Sequence, residues 1–244
     1  MSAAGEALAV QLAALLAPLG LALRGWFEIQ SSDIAKTGAG VDAGMAALLV
    51  GNHGPALWHC FQTSTESRDG FPDPMDRWTR RVVTEACGRL EQPFTALFPF
   101  GKTVWPFQQF AHRAMGISAS PLGILIHPQF GLWHGLRAAI VFPGLAKTCE
   151  VPDKMIHPCE KCVEKPCLSA CPVSAFSERG FDVAGCRSYL DSTASSQSDS
   201  TLPDCMGRGC AARNACPVGR EWRYDGPQLR FHMSAFGGSS KKVS

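Results

Sequence analysis

Along the first half of the chain, apolar residues recur first at helical and then at extended spacing, which predicts mixed α and β structure. Leu8, Leu12, Leu15, Leu16 and Leu19 follow a helical period, and Gly20 is placed to end that helix. "AALLVGN" (Ala46 to Asn52) is an unbroken apolar run before the turn "NHGP", the pattern of a buried strand. "DPMDRWTRRVVTEACGRL" opens with Asp73 as N-cap and Pro74 at the first helical position, and Met75, Trp78, Val82, Ala86 and Leu90 then mark one apolar face. "PFTALFPF" predicts a strand and "PFQQFAHRAMG" a helix ended by Gly116. "LGILIHPQFG" and "LWHGLRAAIVF" predict two strands joined by a turn from Pro128 to Gly131. Trp105, Phe107 and Phe110 fit a core better than a ligand pocket.

Composition changes near position 148. Only Cys60 and Cys87 precede it, whereas nine of the eleven cysteines follow, among many turn residues. The expected organisation is a domain at 1–148, a second at 149–236 and a disordered tail at 237–244. "DSTASSQSDSTLPD" (Asp191 to Asp204) reads as a polar loop.

Net charge is +2, so nothing in the composition favours nucleic acid, and no nucleic-acid partner is expected. The Ala- and Leu-rich N-terminus lacks a basic region, its first charge being Glu6. Gln11, Pro18 and Gly20 interrupt a run already too short to span a bilayer. The expectation is a cytoplasmic protein with no membrane partner, in which clustered thiols stay reduced and bind metal.

The first cysteine cluster reads C-x2-C-x4-C-x3-C-P (Cys159, Cys162, Cys167, Cys171, Pro172). The second reads C-x4-C-x5-C-P (Cys205, Cys210, Cys216, Pro217), with Cys186 upstream. Bacterial ferredoxins carry a C-x2-C-x2-C-x3-C-P run whose fourth cysteine serves the other cluster. Three thiolates on a short loop cover three corners of a cube, and the fourth corner needs a ligand from elsewhere. Applied here, one 4Fe–4S cluster takes Cys159, Cys162, Cys167 and Cys216, and a second takes Cys171, Cys186, Cys205 and Cys210. Zinc, a single cluster and disulfides are the alternatives, and zinc sites do not call for a repeated Cys-Pro ending. Cys60, Cys87 and Cys149 read as ordinary small residues.

"ILIHPQFGLWHGLRAAIVFPGL" (Ile124 to Leu145) resembles the cobalamin-processing family of animals known as CblC, which carries a similar HPxFGxW stretch. "LAALLAPLGLALRGWF", "ALLVGNHGPALWHCF", "DPMDRWTRRVVTEACGRL" and "FQQFAHRAMG" extend the likeness upstream. "MGISASPLGILIHPQFGLW", running into "CEKCVEKPCLSACPVSAF" and then "CRSYL", is similar to epoxyqueuosine reductase and, more distantly, to reductive dehalogenases. "CRSYL" matches their upstream ligand motif at Cys186.

The resemblance implies an α+β fold: a nitroreductase-like corrinoid-binding domain followed by a small bacterial-ferredoxin-like two-cluster domain. It implies cobalamin and two 4Fe–4S clusters as cofactors. It places His127, Pro128, Gln129, Phe130, Gly131 and Trp133 beside the corrin ring and His112 at the same pocket. A histidine on an apolar helix face is also a common core residue. Arg137 sits where the CblC pattern has an arginine associated with glutathione. A cluster could replace glutathione here, leaving Arg137 to a ligand carboxylate or a structural pairing.

The implied function is reduction of bound cobalamin with removal or exchange of its upper axial ligand, fed by an external donor such as a ferredoxin, flavodoxin or flavin reductase. A cobalamin-dependent enzyme is a candidate recipient. The alternatives are a cobalamin-dependent reductase of an organic substrate and a non-catalytic electron-transfer or carrier module. "FGKTVWPFQQFAHRAMG" holds no Asp or Glu where epoxyqueuosine reductase places its general acid, and a tRNA-binding extension is not expected. No catalytic residue is assigned.

Overall fold

The computed structural model describes residues 3–34, 41–146, 156–177, 179–195 and 202–237. The chain divides into two compact units. The first holds Met1–Ser118 and His134–Met155, and the second holds Ala119–Trp133 and Ile156–Ser244. The segment carrying the "HPQFG" turn therefore belongs with the cysteine-rich half. The expected boundary at 148–149 lies outside the described residues.

The first unit is built on an antiparallel sheet. β1 (Ala22–Glu28), β2 (Met45–His53), β6 (His134–Ala146) and β3 (Thr95–Leu97) lie in the order β1-β2-β6-β3. The two central strands are the most apolar, as strands covered on both faces must be. Ala47 to Val50 and Ala138 to Phe142 are buried throughout. Leu48 pairs with Trp26 on one side and Ile140 on the other. α1 (Ala3–Leu16), α2 (Ser31–Ile34), α3 (Ala56–Phe61), α4 (Pro74–Cys87) and α5 (Phe107–Met115) complete the unit.

The helical periods place the cores of these helices correctly. α1 buries Leu8, Leu12 and Leu16, while Leu15 and Leu19 are only half-buried, and a left-handed Gly20 follows. α4 buries Met75, Trp78, Val82 and Ala86. Asp73 precedes it in the left-handed region with no side-chain cap, so Pro74 alone sets the start. Gly116 ends α5, its N–H bonded to the His112 carbonyl. Trp105, Phe107 and Phe110 are buried, and Phe110 stacks on Phe27 at 4.6 Å.

β1 is a strand that the reading of periods does not contain. Gly25 lies at its centre with φ 120°, and a Cβ there would run into the Ala114 carbonyl of α5. The glycine that interrupts the apolar pattern is what lets helix and strand approach. Arg113 of α5 then reaches Asp33 at 2.5 Å, and Asp33 also accepts from the Gln30 N–H.

The second unit is made of short pieces. β4 (Ser118–Ala119) and β5 (Leu125–Ile126) form a ribbon, as do β7 (Phe176–Ser177) and β8 (Gly180–Phe181). α6 (Pro166–Ser169), α8 (Cys205–Arg208) and α9 (Ala211–Ala215) each run for one turn, while α7 (Val183–Ser195) and α10 (Gly226–Gly237) are longer. The expected long strand over 122–131 is reduced to the two residues of β5, because its partner is β4 and not the following strand. The polar stretch from Asp191 is helical as far as Ser195, and residues 196–201 lie outside the described set. Of the expected tail, Gly237 is the last residue of α10 and 238–244 lie outside the described residues. Among the described residues, no helix is long and apolar enough to cross a membrane.

Candidate functional site

The thiols of the second unit gather in two sets of four. Burial pushes Cys159 up to about 11, and Cys216, Cys167 and Cys162 beside it push the same way. Cys167 is raised by burial and by the same neighbours Cys216 and Cys162. Burial likewise pushes Cys186 up to about 11, reinforced by Cys210, Cys171 and Cys205. Cys205 is raised by burial and then by Cys210 and Cys171. Neighbouring thiols oppose one another's ionisation because the first negative charge repels the second. The sets are Cys159, Cys162, Cys167, Cys216 and Cys171, Cys186, Cys205, Cys210, with the fourth member of each donated by the other motif.

Local backbone aims donors at these sulfurs. Cys171 Sγ accepts the Ala175 N–H at 3.3 Å. The Cys167 and Leu168 backbone N–H groups, at the start of α6, act against the rise of Cys167. Burial raises Cys205 and Cys210, and the backbone N–H groups of Ala211, Ala212 and Arg213 at the start of α9 act against that rise. First-turn N–H groups have no partner inside a helix, so they are available to a sulfur. A backbone N–H beside a thiol favours its thiolate form against the effect of burial.

The first set faces a pocket lined by its four cysteines with Ile126, Leu132 and Val218. Leu122, Ile126, Leu132, Cys167, Ala212 and Cys216 form one buried cluster. Thus the 119–133 arm is a wall of the cysteine pocket. Two glycines make this possible. Gly131 (φ 56°) and Gly219 (φ 67°) meet back to back; a Cβ on Gly131 would enter the Val218 carbonyl, and one on Gly219 would enter the Phe130 backbone. Gly219 lies three residues after Cys216, so the turn closing the second motif is seated on the "HPQFG" turn.

Among the described residues, no three His, Cys, Asp or Glu side chains converge closely enough to hold a metal ion. The apolar pocket lined by Cys159, Cys162, Cys167 and Cys216 is where a group held by these thiols would sit. Cys60, half-buried, donates to the Pro18 carbonyl at 3.3 Å. Cys87 is fully buried, its thiol pushed up to about 12 by that burial. Cys149 lies outside the described residues.

The residues expected at a corrinoid are divided between the units. In the first, His112 is exposed on α5, with Nδ1 3.3 Å from the Ile117 carbonyl. Arg137 Nε donates to buried Asn52 Oδ1 at 2.9 Å. Asp76 is raised by burial, with Arg137 opposing the shift. In the second unit, Pro128 and Gln129 are exposed at the tip of the turn. His127 Nδ1 accepts the Gln129 and Phe130 N–H groups, and its ring stacks on Phe130 at 4.4 Å. The Gly131 N–H is used by the His127 carbonyl. The close approach this glycine permits is to Val218. Trp133 is fully buried, edge-on to Tyr224 at 5.4 Å.

Three residues here carry no motif signal. Arg213 lies between the second motif's cysteines, Gly219 follows its proline, and Gln228 is fully buried in α10 with neither amide atom hydrogen-bonded. Only the spacing of Arg213 within the cysteine run could have marked it.

No family model matches the chain, and no curated protein matches it. Among solved structures it is similar to CblC, a B12-trafficking protein of C. elegans and homologue of human MMACHC. The TM-score is 0.55 at 15% identity, over 94% of this chain and 91% of that one. It is also similar to epoxyqueuosine reductase from Streptococcus thermophilus, with a TM-score of 0.52 at 12% identity, over 86% of this chain and 66% of that one. The chain therefore spans just under two thirds of that reductase. At these identities the likeness is one of fold, and the chain has the mixed α+β fold shared by the B12-trafficking protein and the reductase.

Proposed function

We propose that this chain is a cytoplasmic corrinoid-binding iron–sulfur protein that reduces cobalamin and removes or exchanges its upper axial ligand. The observation that carries the reading is the gathering of eight thiols into two sets of four, in a fold shared with a B12-trafficking protein. Cobalamin is the substrate. A ferredoxin, flavodoxin or flavin reductase is the external donor, and a cobalamin-dependent enzyme is the recipient.

Two 4Fe–4S clusters, when bound, supply one-electron transfer. The chain's own residues do the rest. Cys159, Cys162, Cys167 and Cys216 hold one cluster, and Cys171, Cys186, Cys205 and Cys210 hold the other. The Ala175 N–H, bonded to Cys171 Sγ at 3.3 Å, orients that ligand. Ile126 and Leu132 exclude water from the first set. The seam of Gly131 and Gly219 fixes the "HPQFG" turn to the Cys216 loop, so the exposed Pro128 and Gln129 present a rigid edge to the macrocycle. Within the first unit, the resemblance offers His112 and Arg137 as corrinoid contacts.

The test is titration of anaerobically reconstituted protein with hydroxo- and cyanocobalamin. The expected result is a change in the corrinoid spectrum, followed on reduction by loss of cyanide. An unchanged spectrum contradicts the reading. Likeness of fold to epoxyqueuosine reductase favours a second reading, a cobalamin-dependent reductase of an organic substrate. A corrinoid retained through many turnovers would support it, whereas one altered and released supports the first.

A further inference from the structure

The two cysteine motifs differ in the charge they show to solvent. Between Cys159 and Cys167 the charged residues are Glu160, Lys161, Glu164 and Lys165; all are exposed, and their charges cancel. From Arg208 to Arg230, through the second motif and past it, five arginines stand against two acids, Glu221 and Asp225. Arg213 turns inward, against the rings of Trp133 and Tyr224. Arg220 is offset by its exposed neighbour Glu221. Arg208, Arg223 and Arg230 remain, and all three are exposed.

The fold of the second unit brings these three to one place. Asn214, between Cys210 and Cys216, donates through Nδ2 to the Arg208 carbonyl at 2.8 Å. Its own carbonyl accepts from Arg223 Nη2. Leu229 packs on Gly209, where a Cβ would meet Leu229 Cδ2 at 2.9 Å. The start of α10 therefore sits on the turn that follows Arg208 and leads into Cys210. Arg230 is the residue after Leu229, and its Nη1 would lie 3.4 Å from a Cβ on Gly226. Among the described residues, none of the three guanidiniums is in an ion pair. Asp182 and Asp204, the carboxylates beside Cys186 and Cys205, are turned to backbone, accepting the Gly185 N–H at 2.9 Å and the Gly207 N–H at 2.7 Å.

We propose that Arg208, Arg223 and Arg230 form the docking face for a small acidic electron-carrier protein, one that presents carboxylates beside its redox group. Electrons then enter the chain at the group held by Cys171, Cys186, Cys205 and Cys210. This rests on the two-cluster reading above and narrows its external donor. One electron passes from the reduced carrier to the oxidised group; the carrier loses one, the group gains one, and no bond is made or broken. Complementary charge of this kind acts chiefly on the rate of encounter and on orientation, and salt screens it. The first motif, with its loop charges balanced, offers an acidic partner no such attraction.

The experiment is stopped-flow reduction of the anaerobically reconstituted full chain by a reduced acidic plant-type ferredoxin, with dithionite as the uncharged-surface control for cluster reducibility. Binding of the oxidised ferredoxin is measured separately by calorimetry. The variants are Arg208→Glu/Arg230→Glu and the milder Arg208→Gln/Arg230→Gln, which leave the Arg223–Asn214 bond in place. Arg68→Glu/Arg89→Glu makes the same change of net charge at exposed positions of the first unit. The reversed pair is expected to slow reduction by ferredoxin about tenfold or more at low salt, with dithionite reduction and iron content unchanged. The glutamine pair should lie between, the first-unit pair should match wild type, and the wild-type rate and affinity should fall as salt is raised. Fully loaded reversed or glutamine variants that react and bind as wild type overturn this inference alone. So does an equal slowing in the first-unit pair, or a face that binds RNA and leaves ferredoxin unaffected. A wild-type chain that takes up zinc, or a single cluster, is seen in its metal content before any rate is measured and overturns the two-cluster reading with it.

Discussion

The two units hold themselves together by different means. The first unit buries the continuous apolar runs of β2 and β6 beneath helices with clear apolar faces. In the second, α6, α8 and α9 are single turns, and two cysteines belong to the buried cluster itself. Isolated turns of this length are not stable in water. If those thiols hold metal as proposed, a unit so short of apolar core draws on it. The contrast predicts that one unit is indifferent to metal and that the other depends on it.

Removing iron from the loaded protein with an anaerobic chelator is the largest perturbation. It is expected to abolish amide-exchange protection in α8, α9 and α10 while leaving β2 and β6 protected. Equal loss in both units would erase the distinction.

The converse experiment is Leu48→Ala. Leu48 is 1% exposed, between Trp26 and Ile140, so its truncation is expected to cost about 2–5 kcal/mol by chemical denaturation. Iron content should not change, because no thiol of the two sets lies in that core.

Gly131→Ala tests the seam. The substituted residue would need a strained φ and would collide with the Val218 carbonyl, costing more than about 1 kcal/mol. Iron loss is expected from the Cys159 set first, read as loss of one EPR signal; a fully loaded variant would show the seam to be incidental.

The smallest effect is electrostatic. Arg81, at 2.6 Å, holds Glu66 below the usual carboxylate range, first through its hydrogen bond. That contribution is complete above the ordinary value of 4.5 and is lost as pH falls through the lowered one. With Arg81 46% exposed, Glu66→Gln is expected to cost about 1 kcal/mol at pH 7. The variant should also flatten acid denaturation of the first unit below pH 4.5 without altering the second.

How legible each unit was in the sequence follows the same contrast. β2, α4 and α5 announce themselves by period and by Pro74 and Gly116, because local chemistry decides them. β1 is hidden by Gly25, whose purpose appears only once Ala114 is opposite. β6 runs on through Pro143 to Ala146 because a bulge opposite Met45 and Ala46 absorbs the proline. In the second unit, motif spacing suggests two sets of thiols, since each short loop can supply only three corners of a cube. The placement of 119–133 against those loops could not be read, because it depends on Gly131 meeting Gly219 across 88 positions of chain.

The most direct test of the account is metal and sulfide analysis of the anaerobically expressed chain, supplied with iron and hydroxocobalamin and separated from unbound corrinoid. The account predicts about eight irons, matching sulfide and one cobalt per chain. Zinc in place of iron, or full iron with no cobalt, would contradict it.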